Sequence, residues 1–558
     1  MHNPFNKPVK TLLLIIIVFL LGMLACTLVA NVPEPTATPA PTRQPSPTPL
    51  PSPTTSPTSV PPTPSPPPPP PTNSPATVEA DLAAPVAFDF TDLAPYRQAM
   101  LPEFAADVES VAAAGASRYY LEIELEWPKD SLLSEEGLHL KGQEQVCYTN
   151  TENVPLSEVY FRLYPNLPGY DGKMSIDTVV VDGQPVQPEL EAKNSALRVP
   201  LGQPLLPGAA TDITLSYQAN VPGQTRQGYN IFSASENTIA LAGFYPAIAV
   251  YDETGWNIEI PPAYGDATYL DTSLYRIELT VPEPLVVAAS GSLLQSRSNS
   301  DGSQTLSLAS GPMRDFYIVA RADFAVISQT VEGTVVNSYY PPEMAEGGKL
   351  ALRYAVDSLR VFNERFGRYP YAEFDVAATP TTAGGVEYPG VIVVAQWIYE
   401  ETGSFFGYVV GHEAAHQWWY GLVGNDQVDN PWLDESLTSY SATLYLETAE
   451  GSENAKEIMQ MLFFGPYEQI KSQGQDRAVI GRVADFSQSQ YGAIVYGKGP
   501  LFFNALRQEV GDEIYFKIMQ TYFAEYKYKI ARPDDLFAVI EQVSGRDVEP
   551  LIETWLQK

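Results

Sequence analysis

Gly411-His412-Glu413-Ala414-Ala415-His416-Gln417-Trp418-Trp419 is the stretch on which the reading of this chain turns. Two histidines four apart lie one turn above each other on a helix, about 6 Å along its axis, and can aim both imidazoles at one point. Glu413 falls between them in sequence but turns to one side, where a carboxylate can take a proton from a water held at that point. The chain has only four histidines in 558 residues, and two of them stand here. That concentration favours a metal over two packed side chains. Zinc takes nitrogen and oxygen ligands at about 2.0–2.2 Å in a near-tetrahedral set with one position left for water.

A third protein ligand is required, and the sequence downstream offers three carboxylates: Asp429, Asp434 and Glu435, in Asp429-Asn430-Pro431-Trp432-Leu433-Asp434-Glu435. Gly421 and the turn Gly424-Asn425-Asp426 let the chain reverse, so that a second helix packs antiparallel on the first at about 8–10 Å. On that second helix Asp434 and Glu435 point about 100° apart, so they cannot both face the ion, and the spacing alone does not choose.

Further out, the period of the apolar residues changes once. Tyr119-Leu121-Ile123-Leu125 alternates with Tyr120-Glu122-Glu124, Asp212 to Tyr217 alternates again, and Tyr275–Val281 and Phe316–Ala320 add strands punctuated by Asp-Gly turns. Residues 81–329 therefore read as a mainly β domain, an antiparallel saddle or sandwich, preceded by a short helix from Tyr96 to Ala113. Residues 330–558 begin as mixed α/β, with a helix from Gly348 to Phe366, a run at Phe374–Ala377, the loop Ala383-Gly384-Gly385 and an apolar run at Val391–Ala395. Helices then dominate: 405–422, 433–446, 455–464, 498–509, 512–525 and 533–543.

The first eighty residues read differently. Lys7 and Lys10 precede an uncharged apolar run from Thr11 to Ala30, long enough to span a bilayer and oriented to put the rest of the chain outside. A cleaved signal and lipidation at Cys26 are the rival readings of residues 1–30, and all three export the chain. Residues 31–80 are rich in Pro, Thr and Ser and cannot build a core, so they read as a disordered stalk. The chain carries 33 basic and 66 acidic residues, a formal charge of -33, which disfavours nucleic acid and leaves membrane contact to the N-terminal segment. With Cys26 in the apolar run and Cys147 alone in the body, no disulfide framework is available to the folded part, and Cys147 reads as a small buried hydrophobe.

Two more motifs stand at Gly384-Gly385-Val386-Glu387-Tyr388 and Tyr496-Gly497-Lys498-Gly499. With them, the chain resembles the M1 metallopeptidases, the aminopeptidase N and leukotriene hydrolase family, over roughly Ser117 to Lys558. That family shows HExxH followed by a glutamate nineteen residues past the second histidine, a Gly-x-Met-Glu-Asn segment upstream and a Tyr-x-Lys-Gly segment downstream. The separation of His416 and Glu435 fits the first; Val386 and Tyr388 depart from the second, where Met and Asn are usual; the third is matched.

The resemblance implies a β saddle followed by a thermolysin-like (gluzincin) catalytic domain, with one zinc per chain on His412, His416 and Glu435. It implies Glu413 as general base and acid and Tyr496 as the group that steadies the oxyanion, with Tyr491 the nearby confusion. It also implies that Glu387 holds a substrate's α-ammonium. A Gly384-Gly385-Val386 rim would let the substrate backbone come close and pair as an added strand. The expected activity is removal of N-terminal residues from peptides or proteins outside the cell. The residues after Glu435 leave no counterpart of the large C-terminal helical domain of many relatives, so a more open site is expected. The competing readings are a thermolysin-like endopeptidase, an epoxide hydrolase, and a non-catalytic receptor or adhesion module.

Overall fold

The alternation that begins at Tyr119 becomes the strand Arg118–Glu126, with Tyr119, Leu121, Ile123 and Leu125 turned into the core. The computed structural model describes residues 88–126, 137–223, 225, 228–401 and 403–558. The apolar segment Thr11–Ala30 and the Pro-rich segment after it lie outside the described residues. Among the described residues no helix is long and apolar enough to cross a membrane.

Arg118–Glu126 lies inside an eight-stranded sheet whose order is Ser292–Ser298, Ser303–Ala309, Leu274–Pro282, Arg118–Glu126, Leu138–Thr149, Ala210–Val221, Lys173–Val181 and Gln184–Pro185. Its pairing with Leu274–Pro282 is parallel and every other pairing in the sheet is antiparallel. Two four-stranded sheets, one around Thr238–Leu241 and Ile318–Arg321, the other around Leu156–Arg162 and Ala196–Leu205, and the two-stranded pair Tyr251–Asp252 and Gly255–Trp256 complete the β-rich part among the described residues.

The helix expected from Tyr96 to Ala113 is instead two, Ala94–Gln98 and Ala106–Ala113, with a 3-10 turn at Pro102–Phe104 between them. Pro102 has no N–H to continue a helix and drives Leu101 into extended backbone (φ -63, ψ 143), where its own N–H donates to the Pro370 carbonyl at 2.8 Å.

The second part is built on a five-stranded sheet in the order Ala325–Val331, Thr334–Tyr340, Glu373–Thr379, Val391–Ala395 and Gly385–Val386. The central pairings are parallel, while Gly385–Val386 runs antiparallel at the end of the sheet with its other rim unpaired within it. Helix Ala345–Arg365 buries Tyr354, Leu359 and Phe362, and the remaining helices run on to Trp555.

One expected helix is shorter than its apolar pattern. The run read as 405–422 is helical only over Ser404–Ala415. Beyond it the bonds widen to Gly421 N–H to His416 O and Val423 N–H to Trp418 O, and Tyr420 adopts φ +115. The cause lies in the β-rich part. Buried Arg314 takes the Tyr420 carbonyl through Nε at 2.8 Å, the Leu270 carbonyl through Nη1 at 3.2 Å and the Lys529 carbonyl through Nη2. Gly424 packs so closely on that guanidinium that a Cβ there would lie 2.1 Å from Arg314 Cζ. Apolar periodicity had no means of registering a cation arriving from more than a hundred residues upstream.

Next to Arg314, Asp315 is 3% exposed and its Oδ1 accepts the Phe316 N–H at 2.7 Å and the Tyr245 hydroxyl at 3.3 Å. Burial pushes its carboxyl up to about 7, against these two bonds. An acid raised on folding leaves stability intact below its unfolded value, about 3.9, and erodes it as pH climbs towards 7, by about 1.4 kcal/mol per unit. Asp315→Asn keeps an acceptor oxygen and cannot ionise. Its urea midpoint is therefore expected to match wild type near pH 4 and to exceed it progressively up to pH 7.

Candidate metal and peptide site

The helix Ser404–Ala415 carries His412 and Glu413 on the turn above His416, and Trp432–Ala449 packs against it bearing Glu435 in its first turn. His412 Nε2 and His416 Nε2 are 3.2 Å apart, and Glu435 Oε2 is 3.2 Å from the first and 3.4 Å from the second. Ligands held at about 2.0–2.1 Å in a tetrahedron are separated by about 3.3 Å. The three donor atoms therefore already form one face of such a tetrahedron. Glu435 Oε2 is buried with no hydrogen-bond donor of its own, an arrangement that costs free energy unless a cation completes it. The far side of His416 supports this: Nδ1 lies 3.1 Å from the Trp419 carbonyl and 3.3 Å from Thr438 Oγ1. Donation to the carbonyl leaves the Nε2 lone pair free for a metal. These residues fit zinc.

His412, Glu413 and His416 each offer an atom within 4.8 Å of the others, so Glu413 is a geometric rival for the third corner. Glu435 is preferred because its Oε2 stands at tetrahedral separation from both rings, whereas the Glu413 carboxylate lies against Gly385. The other carboxylates are used elsewhere. Asp434 accepts the Glu435 N–H at 2.7 Å and the Gln427 amide at 2.8 Å, and Asp429 is exposed, unlike the buried triangle. The choice that spacing left open is made by where each carboxylate finds its hydrogen bonds.

On the opposite wall, a Cβ at Gly385 would sit 2.4 Å from Glu413 Oε1 and 2.5 Å from its Cδ, so only glycine fits there. Gly385 and Val386 pair with Val394 and Val393, and the Gly384 carbonyl accepts the Ala395 N–H. Glu387 is 7% exposed, and its Oε1 accepts the Gln427 amide at 3.2 Å. Tyr388 stacks on Tyr317 with ring centroids 3.7 Å apart. Gln417, directly after the second histidine, clamps this loop by accepting the Gly390 N–H at 2.8 Å and donating to the Tyr388 carbonyl at 3.1 Å.

Tyr496 lies in a π-helical turn, Ile494–Lys498, and its hydroxyl donates to Glu435 Oε1. Tyr491 does not compete: its ring stands edge-on to Tyr496 with centroids 5.7 Å apart, and its buried hydroxyl has no partner. The turn is anchored on both sides. Ser436 Oγ donates to the Val495 carbonyl at 2.6 Å, and buried Lys498 donates to Asp476 and the Arg477 carbonyl, each at 2.8 Å. Trp418 and Trp419 give their indole N–H groups to Gly367 O and Ser441 Oγ, so they pack the helix.

Two residues near the site carried no sequence signal. Gln427 falls in the gap between the metal-site motifs, and Asp266 lies in a loop of the β-rich part. Asp266 is within hydrogen-bonding reach of Glu435, and burial, with the Glu387 charge adding to it, holds its carboxyl well above the ordinary range. Glu387, Glu413, Asp434 and Glu435 crowd the two imidazoles. Burial pushes Glu413 well above the ordinary carboxylate range, with the Glu387 charge adding to it. Burial also opposes a charged His416, yet Glu387, Glu435 and Asp434 drive that ring up to about 10. The site demands positive charge.

Two imidazoles and a carboxylate closing on one point, with a further carboxylate beside the open side, define the donor set of a zinc hydrolase. Residues 350–555 match the peptidase family M1 domain. Aminopeptidase M1-B from Oryza sativa subsp. japonica is 27% identical over 299 residues, covering 51% of this chain and 34% of its own length. Aminopeptidase M1 from Arabidopsis thaliana is 28% identical over 306 residues with the same coverage. The chain thus spans about a third of the length of these curated relatives. In fold it is similar to an M1 zinc metallopeptidase from Deinococcus radiodurans, with a TM-score of 0.59 and 22% identity over 79% of this chain and 95% of that one.

Proposed function

We propose that the chain is a zinc aminopeptidase that removes the N-terminal residue from peptides, with Glu387 holding the free α-ammonium. The observation that carries this is the depth of Glu387: a carboxylate 7% exposed, held by the Gln427 amide, whose charge acts on both Glu413 and His416. A buried carboxylate and an ammonium make a charge-assisted bond that an internal peptide nitrogen cannot match.

Zinc in such a site supplies a Lewis acid that polarises the scissile carbonyl and activates water. The chain's own groups do the rest. The open rim of Gly385–Val386 aligns the substrate backbone as an added strand. Glu413, high in pKa and pressed against that rim, takes a proton from the attacking water and returns it to the leaving amine. The Tyr496 hydroxyl, a donor already aimed at the centre, steadies the oxygen on which charge builds. The uncharged run Thr11–Ala30 after two lysines supports an exported location for the catalytic part, on the outer side of a membrane or free of it.

The test compares alanyl and N-acetylalanyl arylamides on the zinc-loaded chain and on Glu387→Gln. The variant is expected to keep its zinc and to show KM for the alanyl substrate raised about 10- to 100-fold, the loss of one charge-assisted bond. Equal hydrolysis of the acetylated substrate by the wild type sinks the assignment, and cleavage inside blocked peptides would place an endopeptidase in its stead.

A further inference from the structure

We propose that the exposed indole of Trp397, stacked on Phe405, is an aromatic ledge that grips the third residue beyond the scissile bond of a peptide substrate. This rests on the aminopeptidase reading and deepens it, by naming what the departing part of the peptide carries.

Two contacts fix the direction in which the cleft runs. Gln417, just past the second histidine, holds Gly390 and Tyr388. Gly385 lies against Glu413, four residues earlier than Gln417. The rim and the histidine helix therefore lie side by side with their numbers falling the same way. A substrate with its amine at Glu387 and its backbone along Val386 and Gly385 leaves past Gly384, towards the N-terminal end of that helix. There the rim meets a 3-10 turn, Gln396–Glu400. The Gly384 carbonyl accepts the Ala395 N–H at 3.0 Å, and a Cβ at Gly384 would lie 3.9 Å from Ile398 Cδ1. Trp397 stands on this turn, next to Ile398.

Phe405 lies in the first turn of the histidine helix, seven residues before His412. Two helical turns bring these two residues to nearly the same face. Trp397 stacks on Phe405, with ring centroids 6.4 Å apart and planes 23° apart. The indole is 44% exposed, and among the described residues it is the only aromatic side chain in the set of exposed large hydrophobic ones. Covering that surface with an apolar side chain is favourable, and a second ring adds an offset or edge-on stack.

Reach decides which residue is gripped. Seven residues of helix advance about 10 Å, and an extended peptide advances about 3.4 Å per residue. With the scissile carbonyl at the metal triangle, the third residue after it comes level with Phe405. The favoured substrate is a peptide whose fourth residue is aromatic.

The experiment measures initial release of N-terminal alanine from the amides of Ala-Ala-Ala-Phe-Ala and Ala-Ala-Ala-Ala-Ala. Alanyl arylamide hydrolysis is followed beside it, for the zinc-loaded full chain and its Trp397→Ala variant. Wild type is expected to show a KM about fivefold to tenfold lower for the phenylalanine peptide. Trp397→Ala is expected to lose that difference and to hydrolyse the arylamide, which is too short to reach the ledge, at the wild-type rate. Wild-type KM values within twofold of each other overturn the ledge, and that comparison requires no variant to fold. A Trp397→Ala chain that keeps the preference overturns it too, as does one whose arylamide hydrolysis falls in proportion. In each of these cases release of alanine leaves the aminopeptidase reading standing. If neither peptide loses its N-terminal alanine, that reading falls and takes the ledge with it.

Discussion

Replacing Glu413 with Gln is expected to lower kcat on alanyl arylamides on the order of 1,000-fold while zinc content and KM stay close to wild type. The glutamine is nearly isosteric and cannot accept a proton, so what is lost is general-base catalysis, commonly about 100- to 10,000-fold. The position of Glu413 gives the prediction its sign. Its carboxylate is buried beside the metal triangle but bonded to neither histidine, and Gly385 closes over it. If Glu413 were instead the third ligand, Glu413→Gln would release zinc and Glu435→Gln would not. Metal analysis of the two variants, run beside single-turnover kinetics, separates these outcomes.

The second large effect concerns folding. Arg314→Ala should strip two buried carbonyls, those of Leu270 and Tyr420, of the guanidinium donor and leave Lys529 O only the Gly424 N–H. Each unsatisfied group costs about 1–3 kcal/mol, and Asp271 loses the cation that offsets its charge. The sum is a large part of the about 5–15 kcal/mol that holds a typical protein folded. The expected result is little folded protein, or a melting temperature lowered by many degrees, with zinc affinity weakened because Tyr420 lies on the turn just past His416. Arg314→Lys offers a single ammonium in place of the planar fork and should recover only part of the loss. A variant melting within a degree or two of wild type would show that the Leu270 and Tyr420 carbonyls find other donors.

Distance along the chain decides which features the sequence revealed and which it hid. The histidine pair with Glu413 is legible because a helix converts a spacing of four into a shared face. Alternating strands such as Arg118–Glu126 are legible for the same local reason. Asp434 and Glu435 were not separable, because the decision is made by Gln427 and the Glu435 N–H, which capture Asp434 only after the chain has folded back. The end of the histidine helix was overrun because the cation that terminates it comes from Arg314. Asp266 left no trace at all. A lone acid in a loop has no period, and its relation to Glu435, 169 positions away in number, exists only in three dimensions.

Gly385 carries a consequence for how such a site can change. Its backbone touches the Glu413 carboxylate with no side chain between them, so the ledge that would cradle a peptide and the group that would move the proton are mechanically one piece. Sliding that ledge outward to admit bulkier substrates would tilt the carboxylate with it. Variation in what the cleft accepts has therefore to come from side chains, such as that of Val386, and not from the backbone of the ledge.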